Sequence, residues 1–200
     1  MQHTISLQGH QVRLEPLSQQ HLPALRDLGN DPALWEFTFG NNPFAGDERA
    51  QAWLEDVLND SEMQAFTIID ERSGAVAGST RFLEISEAHR KLEIGWTFLG
   101  RAFWRTHVNT AAKLLLMQYA FEDRNALRVQ YKAEAVNQRS RRAILRLGAT
   151  YEGTLRNFRI RSNGEIRDTA FYSVIDREWP MVKERLLTFL DQNLYSRAAE

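Results

Sequence analysis

The stretch Leu92–Thr110, LEIGWTFLGRAFWRTHVNT, decides the fold of this 200-residue chain together with the apolar run that follows it. Alternating and aromatic residues before Gly100 predict a β-strand over residues 91–99. Residues 108–122, VNTAAKLLLMQYAFE, are apolar on nearly every side and predict a buried helix. A strand therefore leads through a short loop into a helix that the rest of the chain covers.

The loop between this strand and this helix is a candidate anion site. A helix N-terminus presents several unpaired backbone N–H groups at the positive end of the helix dipole, which suits a phosphate. Neither G-x-G-x-x-G nor G-x-x-x-x-G-K-[ST] occurs in the chain, so dinucleotide binding and nucleotide hydrolysis lose their main support. The spacing alone leaves two interpretations open, a phosphate site and a plain strand-to-helix connection.

The residues before this stretch predict strands mixed with amphipathic helices. Strands are predicted over residues 11–15, 65–69 and 76–85, and helices over 18–28 and 47–59, from hydrophobic periods of two and of 3.6 residues. The segment Trp35–Pro43, with Phe37 and Phe39, is aromatic and rich in turn residues at its end. It either covers a cleft or packs onto the core.

The residues after the buried helix predict the second half of a sheet. A strand over 127–135 is followed by a short helix capped by Asn137, by strands over 150–160 and 165–175, and by a last helix over 179–194. Asn163-Gly164 marks the hairpin turn between the last two strands. We therefore expect an α/β (α+β) fold in one domain over 1–200, with a mixed, mostly antiparallel central sheet and helices on both faces.

The composition indicates a globular protein and excludes several classes of function. The chain has 43% hydrophobic and 26% charged residues, a net charge of −1 and a pI of about 6.5. This balance gives no sign of a nucleic-acid or anionic-membrane binder. Without cysteine there is no thiolate nucleophile, disulfide or cysteine-ligated zinc. Neither a signal peptide nor a membrane-spanning run is evident, so we expect a cytoplasmic protein.

Three blocks of sequence resemble the GNAT N-acetyltransferases, in particular their RimJ/RimL-like ribosomal-protein group. In chain order the blocks are Glu93-Ile-Gly-Trp96 with Trp104 and a helix beginning Val-Asn-Thr, then Asn137-Gln-Arg-Ser140 with Leu147–Gly153, then Arg167-Asp-Thr169 with Tyr172 and Glu178-Trp179. No single block is specific, but three in this order make the resemblance nearly full length.

The resemblance implies that acetyl-CoA binds between two strands that splay apart after Gly95. The pantetheine would pair with residues 96–99, and backbone N–H groups of residues 105–110 would hold the pyrophosphate. The implied cofactor-binding residues are Trp96, Thr97, Phe98, Leu99, Trp104, Arg105, Thr106, His107, Val108, Asn109, Thr110 and Asn137, and no metal is implied. The family's Q/R-x-x-G-x-G/A loop maps onto residues 104–109, where larger side chains fill both small positions.

Two residues are candidates for catalysis by this resemblance. Glu93 matches the position that often supplies a general base, which is needed because an amine is mostly protonated at neutral pH and cannot attack a thioester. Ser140 lies where the family places a hydroxyl near the thioester sulfur, while the Tyr that many members use four residues later is Ile144 here. A structural role remains open for both, as a salt-bridged strand residue and as a helix residue.

The predicted function is acetyl-CoA-dependent acetylation of a primary amine, by direct attack of the amine. The acceptor cleft would be built from residues 35–44 and from Asn157–Gly164, next to Arg156, Arg159 and Arg161. This composition favours a protein or peptide α-amine over a small-molecule amine or amino acid. The alternative to an enzyme is a non-catalytic GNAT domain that binds acyl-CoA. A homodimer is compatible with the sequence, and no nucleic-acid or membrane partner is expected.

Overall fold

The computed structural model describes residues 5–37, 42–161 and 163–197, with side chains described as far as residue 192. In this part of the chain all strands form one sheet in the order β1-β2-β3-β4-β5-β6-β8-β7. The strands are β1 Leu7–Gly9, β2 Val12–Pro16, β3 Gln64–Asp70, β4 Ala75–Ser86, β5 Lys91–Leu99, β6 Arg128–Glu134, β7 Thr150–Ile160 and β8 Ile166–Ile175. Every neighbouring pair is antiparallel except β5 and β6, which are parallel. The predicted mixed, mostly antiparallel sheet is confirmed.

The helices lie on both faces of this sheet, as predicted. They are α1 Leu22–Gly29, α2 Asp47–Asn59, α3 His107–Gln118, α4 Gln138–Leu147 and α5 Trp179–Arg197. The predicted bounds of α2, β5 and β7 are confirmed, whereas β1 was missed because three residues are too few for a periodic pattern. No helix within the described residues is long and apolar enough to cross a bilayer.

Two hydrophobic clusters fill the two faces. The larger cluster packs α3, α4 and α5 on the sheet, and the smaller one packs α1 and α2 on the opposite face. In the larger cluster Leu114, Leu116 and Met117 of α3 are fully buried, because this helix is covered by α5 as well as by the sheet. Burial of each such side chain contributes about 1.5–3 kcal/mol, so α3 is anchored along most of its length.

The aromatic segment before α2 packs on the core where it is described. The rings of Trp35, Phe44, Trp53 and Phe98 lie with centroids 4.8–6.5 Å apart. Trp35 Nε1 also donates to the Gly29 carbonyl at 2.8 Å. Of the two interpretations of this segment, packing onto the core is the observed one for its ends. Phe39 lies outside the described residues.

The feature that positions the candidate site is a short parallel pairing between β5 and β6. Only residues 91–93 of β5 pair with residues 128–130 of β6, and α3 makes the connection between the two strands. Beyond Glu93 the strands separate, two residues earlier than the expected point after Gly95. The remaining half of β5 therefore keeps its pairing with β4 on one edge and none with β6 on the other.

A β-bulge interrupts β5 inside this separated half. Ser79 of β4 is opposite Phe98, and Arg81 is opposite Gly95, so that β5 has one more residue than β4 between these two pairs. Trp96 takes a left-handed φ of +48° at this bulge. Such a backbone is uncommon for a bulky residue and marks a place where the surrounding structure holds the chain against strain.

Candidate active site

The site consists of the separated half of β5, the loop that follows it, the N-terminus of α3 and the residues that lead from β6 into α4. The loop contains a 3₁₀ turn over Arg101–Phe103, and Trp104 Nε1 donates to the Leu99 carbonyl at 2.7 Å. Thr106 is the N-cap of α3 and its hydroxyl accepts from the Val108 N–H at 3.3 Å. The predicted order of strand, loop and buried helix is confirmed, with α3 beginning one residue before the predicted start.

The missing loop glycines have a structural explanation. The two positions that are small in the related family, 107 and 109, lie in the first turn of α3, and neither has a positive φ. The left-handed residue of the loop is Arg105, with a φ of +60°. Since a right-handed helical residue needs no glycine, backbone N–H groups at this helix start are presented without one.

Several side chains at this helix start point into the protein. His107, Val108 and Thr110 are buried, and the Thr110 hydroxyl accepts from Arg146 Nη1 at 3.2 Å. These residues, which the sequence assigns to cofactor binding, can therefore serve a phosphate only through their backbone N–H groups. Asn109 is half-buried and Arg105 is exposed.

His107 fixes the helix start to the turn between β3 and β4. Its Nε2 lies 3.3 Å from Asp70 Oδ1, and the other carboxylate oxygen of Asp70 accepts from the Ser73 hydroxyl at 2.7 Å. Both His107 and Asp70 are buried. This buried contact joins the start of α3 to the end of β3.

Asn137 and Ser140 occupy the predicted positions at the start of α4. Asn137 Oδ1 accepts from the Ser140 N–H at 2.9 Å, which confirms the predicted N-cap. Gly148 ends the helix with a φ of +103°, in the left-handed conformation expected there. Among the residues that the structure describes, the half-buried hydroxyl of Ser140 has no hydrogen-bond partner, so it is available to a ligand.

Glu93 lies at the last residue of β5 that pairs with β6, and it is 7% exposed. Its Oε2 is 2.7 Å from Lys132 Nζ and accepts from Gln130 Nε2 at 3.3 Å. A Cβ atom at Gly95 would lie 2.9 Å from Oε1 of the same carboxylate. Leu83 Cδ1 would lie equally close at 2.9 Å, so the Glu93 carboxylate and Leu83 together leave no room for a side chain at Gly95.

Glu84 is a second carboxylate in this network, and sequence reasoning missed it. It forms an ion pair with Lys132 and accepts from Gln130 Nε2 at 3.1 Å. Two carboxylates thus share the Lys132 ammonium, and the positive charge of Arg159 also helps to lower the pKa of Glu84. The alternation of residues 127–135 placed Gln130 and Lys132 on one face, but the sequence held no sign of which strand lies opposite them.

The same face carries a basic cluster farther along β6. Glu134 is 6% exposed and forms ion pairs with Arg161 and, at 3.6 Å, with Arg167. Burial lowers the pKa of Arg167, the nearby Glu134 raises it, and Arg159 and Arg161 lower it further. Three arginines, Arg159, Arg161 and Arg167, thus lie near the Glu134 carboxylate, and Arg161 also pairs with Glu165 at 3.2 Å. The arginines of this cluster outnumber its carboxylates.

Another guanidinium lies between two indoles beside Gly95. Arg81 Cζ is 5.3 Å from the ring centroid of Trp53 and 5.5 Å from that of Trp96. Its Nη1 contacts the Met63 sulfur at 3.2 Å, and burial lowers its pKa to about 10.

Within residues 5–37, 42–161 and 163–197 no group of three or more acid or histidine side chains is arranged to hold a metal ion.

Comparison with known proteins defines the class. The family described as the Acetyltransferase (GNAT) domain matches residues 11–150, which is more than half of the chain. This chain belongs to the GNAT acetyltransferase family. It is an N-acetyltransferase that uses acetyl-CoA as co-substrate, as the sequence resemblance predicted.

Similar proteins act on different amines. YdaF of Bacillus subtilis (strain 168), provisionally named a ribosomal N-acetyltransferase, is 30% identical over 83% of this chain and 90% of its own length. Spermidine N(1)-acetyltransferase of Escherichia coli (strain K12) is 23% identical over 73% of this chain and 76% of its own. The crystal structure of a GCN5-related N-acetyltransferase from Brucella melitensis has a TM-score of 0.89 and 32% identity, over 94% of this chain and 86% of that one. The RimJ/RimL-like resemblance is confirmed, and the relatives leave the acceptor open.

Proposed function

We propose that this enzyme acetylates the α-amine of a peptide or protein N-terminus. The observation that carries the proposal is the charge pattern of the sheet face that bears Glu93. Glu93 and Glu84 share the single ammonium of Lys132, with Arg159 acting on Glu84 as well, whereas Glu134 is paired with Arg161 and Arg167. This face therefore suits an acceptor with a single ammonium group at one end and neutral or acidic groups beyond it.

The separated half of β5 supports the placement of acetyl-CoA between β5 and β6. Its free edge offers backbone groups of residues 96–99 to the pantetheine, in the manner of an added strand. The start of α3 offers N–H groups to the pyrophosphate. Asn137 and Ser140 stand on the opposite side of the separation. The bound thioester supplies the activated acetyl group.

Glu93 is proposed to take the proton of the incoming amine. An α-ammonium has a pKa near about 8, so a base must remove a proton before the nitrogen can form its bond to the acetyl carbon. Because Glu93 Oε2 already contacts Lys132, the proton would reach the carboxylate through a water molecule. After the attack the nitrogen loses its second proton to solvent and the carbon–sulfur bond breaks. The departing thiolate takes a proton from solvent, either directly or through the Ser140 hydroxyl, which then regains its proton from solvent.

The carbonyl oxygen of the acetyl group needs a donor while negative charge develops on it. Backbone N–H groups near Phe98 and Leu99 follow the bulge on the separated half of β5. Donors that are fixed before the reaction stabilise such a charge without reorganising. We assign the oxyanion contact to one of these two groups.

The charge pattern argues against a polyamine acceptor. Spermidine carries several ammonium groups, and each needs an acidic partner, but the Glu134 carboxylate is already paired with arginines. The Phe158 and Phe171 rings, with centroids 5.2 Å apart, give the same face an apolar part. Lys132 and Glu134 are about 7 Å apart along β6, so the two charged regions fit an acceptor longer than one residue.

A free amino acid is the second candidate, and one relationship favours it. Arg81 is paired with Gly95, above which the Glu93 carboxylate lies. A carboxylate and a guanidinium on neighbouring strands match the ammonium and carboxylate of one α-amino acid. The Arg81 guanidinium is enclosed by Trp53 and Trp96, so this arrangement requires an edge of Arg81 to remain within reach of the ligand.

An acetylation screen with matched acceptors tests the proposal. Peptides with neutral and acidic residues after the N-terminal α-amine are compared with the same peptides blocked at that amine, with free amino acids, and with polyamines and aminoglycosides. Turnover of the free peptides, lost on blocking, is the expected result. Turnover confined to free amino acids selects the second candidate, and turnover confined to polyamines or aminoglycosides overturns both acceptor assignments.

A further inference from the structure

Lys113 is a buried lysine on an otherwise apolar helix. It lies in the middle of α3 among buried Ala, Leu and Met residues and is 5% exposed. A leucine there would continue the apolar run, whereas an ammonium loses its hydration on burial. This lysine is therefore unfavourable for folding unless its contacts compensate for the lost hydration.

Both contacts of the Lys113 amine are threonine hydroxyls on the sheet. Nζ lies 2.6 Å from Thr97 Oγ1 and 3.1 Å from Thr80 Oγ1, and the two hydroxyls are 2.7 Å apart. Thr80 is on β4 and is fully buried. Thr97 is on β5 and is exposed. Lys113 therefore connects α3 to both strands, and of its two threonine partners Thr97 is the exposed one.

Thr97 belongs to the bulge of β5. It follows Trp96, the residue with the left-handed backbone, and lies on the half of the strand that does not pair with β6. Its hydroxyl also lies 3.4 Å from the Gly95 carbonyl, on the other side of Trp96. The Lys113 contact thus stabilises the bulge from the side of α3.

We propose that Lys113 is a positioning residue for acetyl transfer, which acts through Thr97 to hold the β5 bulge in the geometry that receives the thioester. The inference rests on the proposed location of acetyl-CoA along residues 96–99. The helix that carries Lys113 also begins at the proposed pyrophosphate site, six residues earlier at His107. One rigid helix, fixed to the bulge by this lysine, sets the distance between the two ends of the cofactor site.

A matched set of variants tests this role. Thr97→Val removes the hydroxyl and keeps the shape, Thr97→Ser keeps the hydroxyl, and Lys113→Met removes the amine. Thr80→Val deletes the other contact of Lys113, on the strand away from the separation, and is the control for stability. All are compared by thermal unfolding, by calorimetry with CoA, and by kcat and KM for acetyl-CoA and for an accepted amine.

We expect Thr97→Val and Lys113→Met to lower kcat by up to about 10²-fold, the loss that a small misplacement of a reacting group produces. The affinity for CoA, which has no acetyl group, should stay within about threefold, and Thr97→Ser should recover most of kcat. Thr80→Val should change the unfolding temperature more than kcat.

Two outcomes overturn the role of Lys113. One is an unchanged kcat in Thr97→Val, and the other is a loss of kcat that follows the unfolding temperature equally in Thr97→Val and Thr80→Val. Since Thr97→Val keeps the lysine, it remains informative even where Lys113→Met does not fold. A wild-type protein that binds no CoA would instead overturn the proposed cofactor site itself.

Discussion

Glu93 Oε2 lies 2.7 Å from Lys132 Nζ, and Lys132 is two residues beyond Gln130, with which Glu93 forms the last pair between β5 and β6. The contact lies next to the end of the parallel pairing and places a carboxylate at the start of the separation. Glu84 binds the same ammonium from β4, and Arg159 also helps to lower the pKa of Glu84. The Glu93 carboxylate is therefore placed next to the candidate acetyl site, where we propose that it acts as the base.

Replacing Glu93 tests this interpretation directly. Glu93→Gln keeps the size and hydrogen-bonding capacity of the side chain but removes the base, so turnover should fall by about 10² to 10⁴. The affinity for acetyl-CoA should change little, because the base acts on the amine. Turnover and calorimetry on the same preparation give both quantities.

Glu84→Gln is the matched control, because it removes the other carboxylate on Lys132. A much smaller loss of turnover is expected there, since the Glu84 side chain is 54% exposed and does not lie above Gly95. If Glu93→Gln retains the wild-type rate and pH profile, Glu93 is structural and the base lies elsewhere.

The proposed pyrophosphate site at the start of α3 predicts which forms of CoA bind. CoA and dephospho-CoA share the pyrophosphate and differ in the 3′-phosphate, so both should bind if backbone N–H groups of residues 105–110 hold the pyrophosphate. Titration calorimetry measures the two affinities. Failure of both ligands to bind at millimolar concentration would exclude this site.

The elements of the fold could be predicted because each has a local signal. The alternation over residues 127–135, the Asn137 cap and the Asn163-Gly164 turn are properties of neighbouring residues. The residues that contact one another in the site are far apart in the sequence. Lys132 contacts Glu93 and Glu84, and Thr80 contacts Lys113, because the register of β4, β5 and β6 brings these residues together. No short sequence pattern encodes the register between strands that are far apart in sequence.

The charged residues of α3 and α4 show the same limit. Lys113 stands inside an apolar helical period that gives no reason to expect hydroxyl partners. Three arginines of α4 are exposed, namely Arg139, Arg142 and Arg146. Arg141 is half-buried instead and donates to the Tyr172 hydroxyl at 2.8 Å and to the Ala135 carbonyl at 3.0 Å. Arg139 stacks on Trp104 at 4.3 Å. Which face of α4 meets the protein depends on how the helix packs.

Variants of Ser140 and Asn137 distinguish a role in the reaction from a role in folding at the start of α4. Ser140→Ala removes the hydroxyl but keeps the backbone N–H that Asn137 accepts from, so kcat should fall modestly and CoA affinity should not change. Asn137→Ala loses the cap and should lower the free energy of unfolding by about 1 kcal/mol. Urea unfolding and steady-state kinetics measure both. An unchanged kcat in Ser140→Ala would leave protonation of the thiolate to solvent.

Lys113 gives the protein a specific dependence of stability on pH. Burial lowers its pKa from 10.5 to about 7 in the folded protein. Above about pH 10.5 the amine is neutral in both states, so the residue has no effect on the balance between them. As the pH falls, the unfolded lysine binds a proton first, and the folded protein loses stability until its own lysine is protonated near pH 7.

The Lys113→Met variant isolates this contribution, because it has no titrating group in the same space. We expect the variant to gain stability relative to the wild type as the pH is lowered from about 10 to 7, by up to a few kcal/mol at about 1.4 kcal/mol per unit of pKa. Urea unfolding of both proteins at several pH values gives this difference, in which the other ionisable groups cancel. A difference that stays constant over this range would show that the lysine is charged in the folded protein and that its two threonine partners are enough to hold the ammonium.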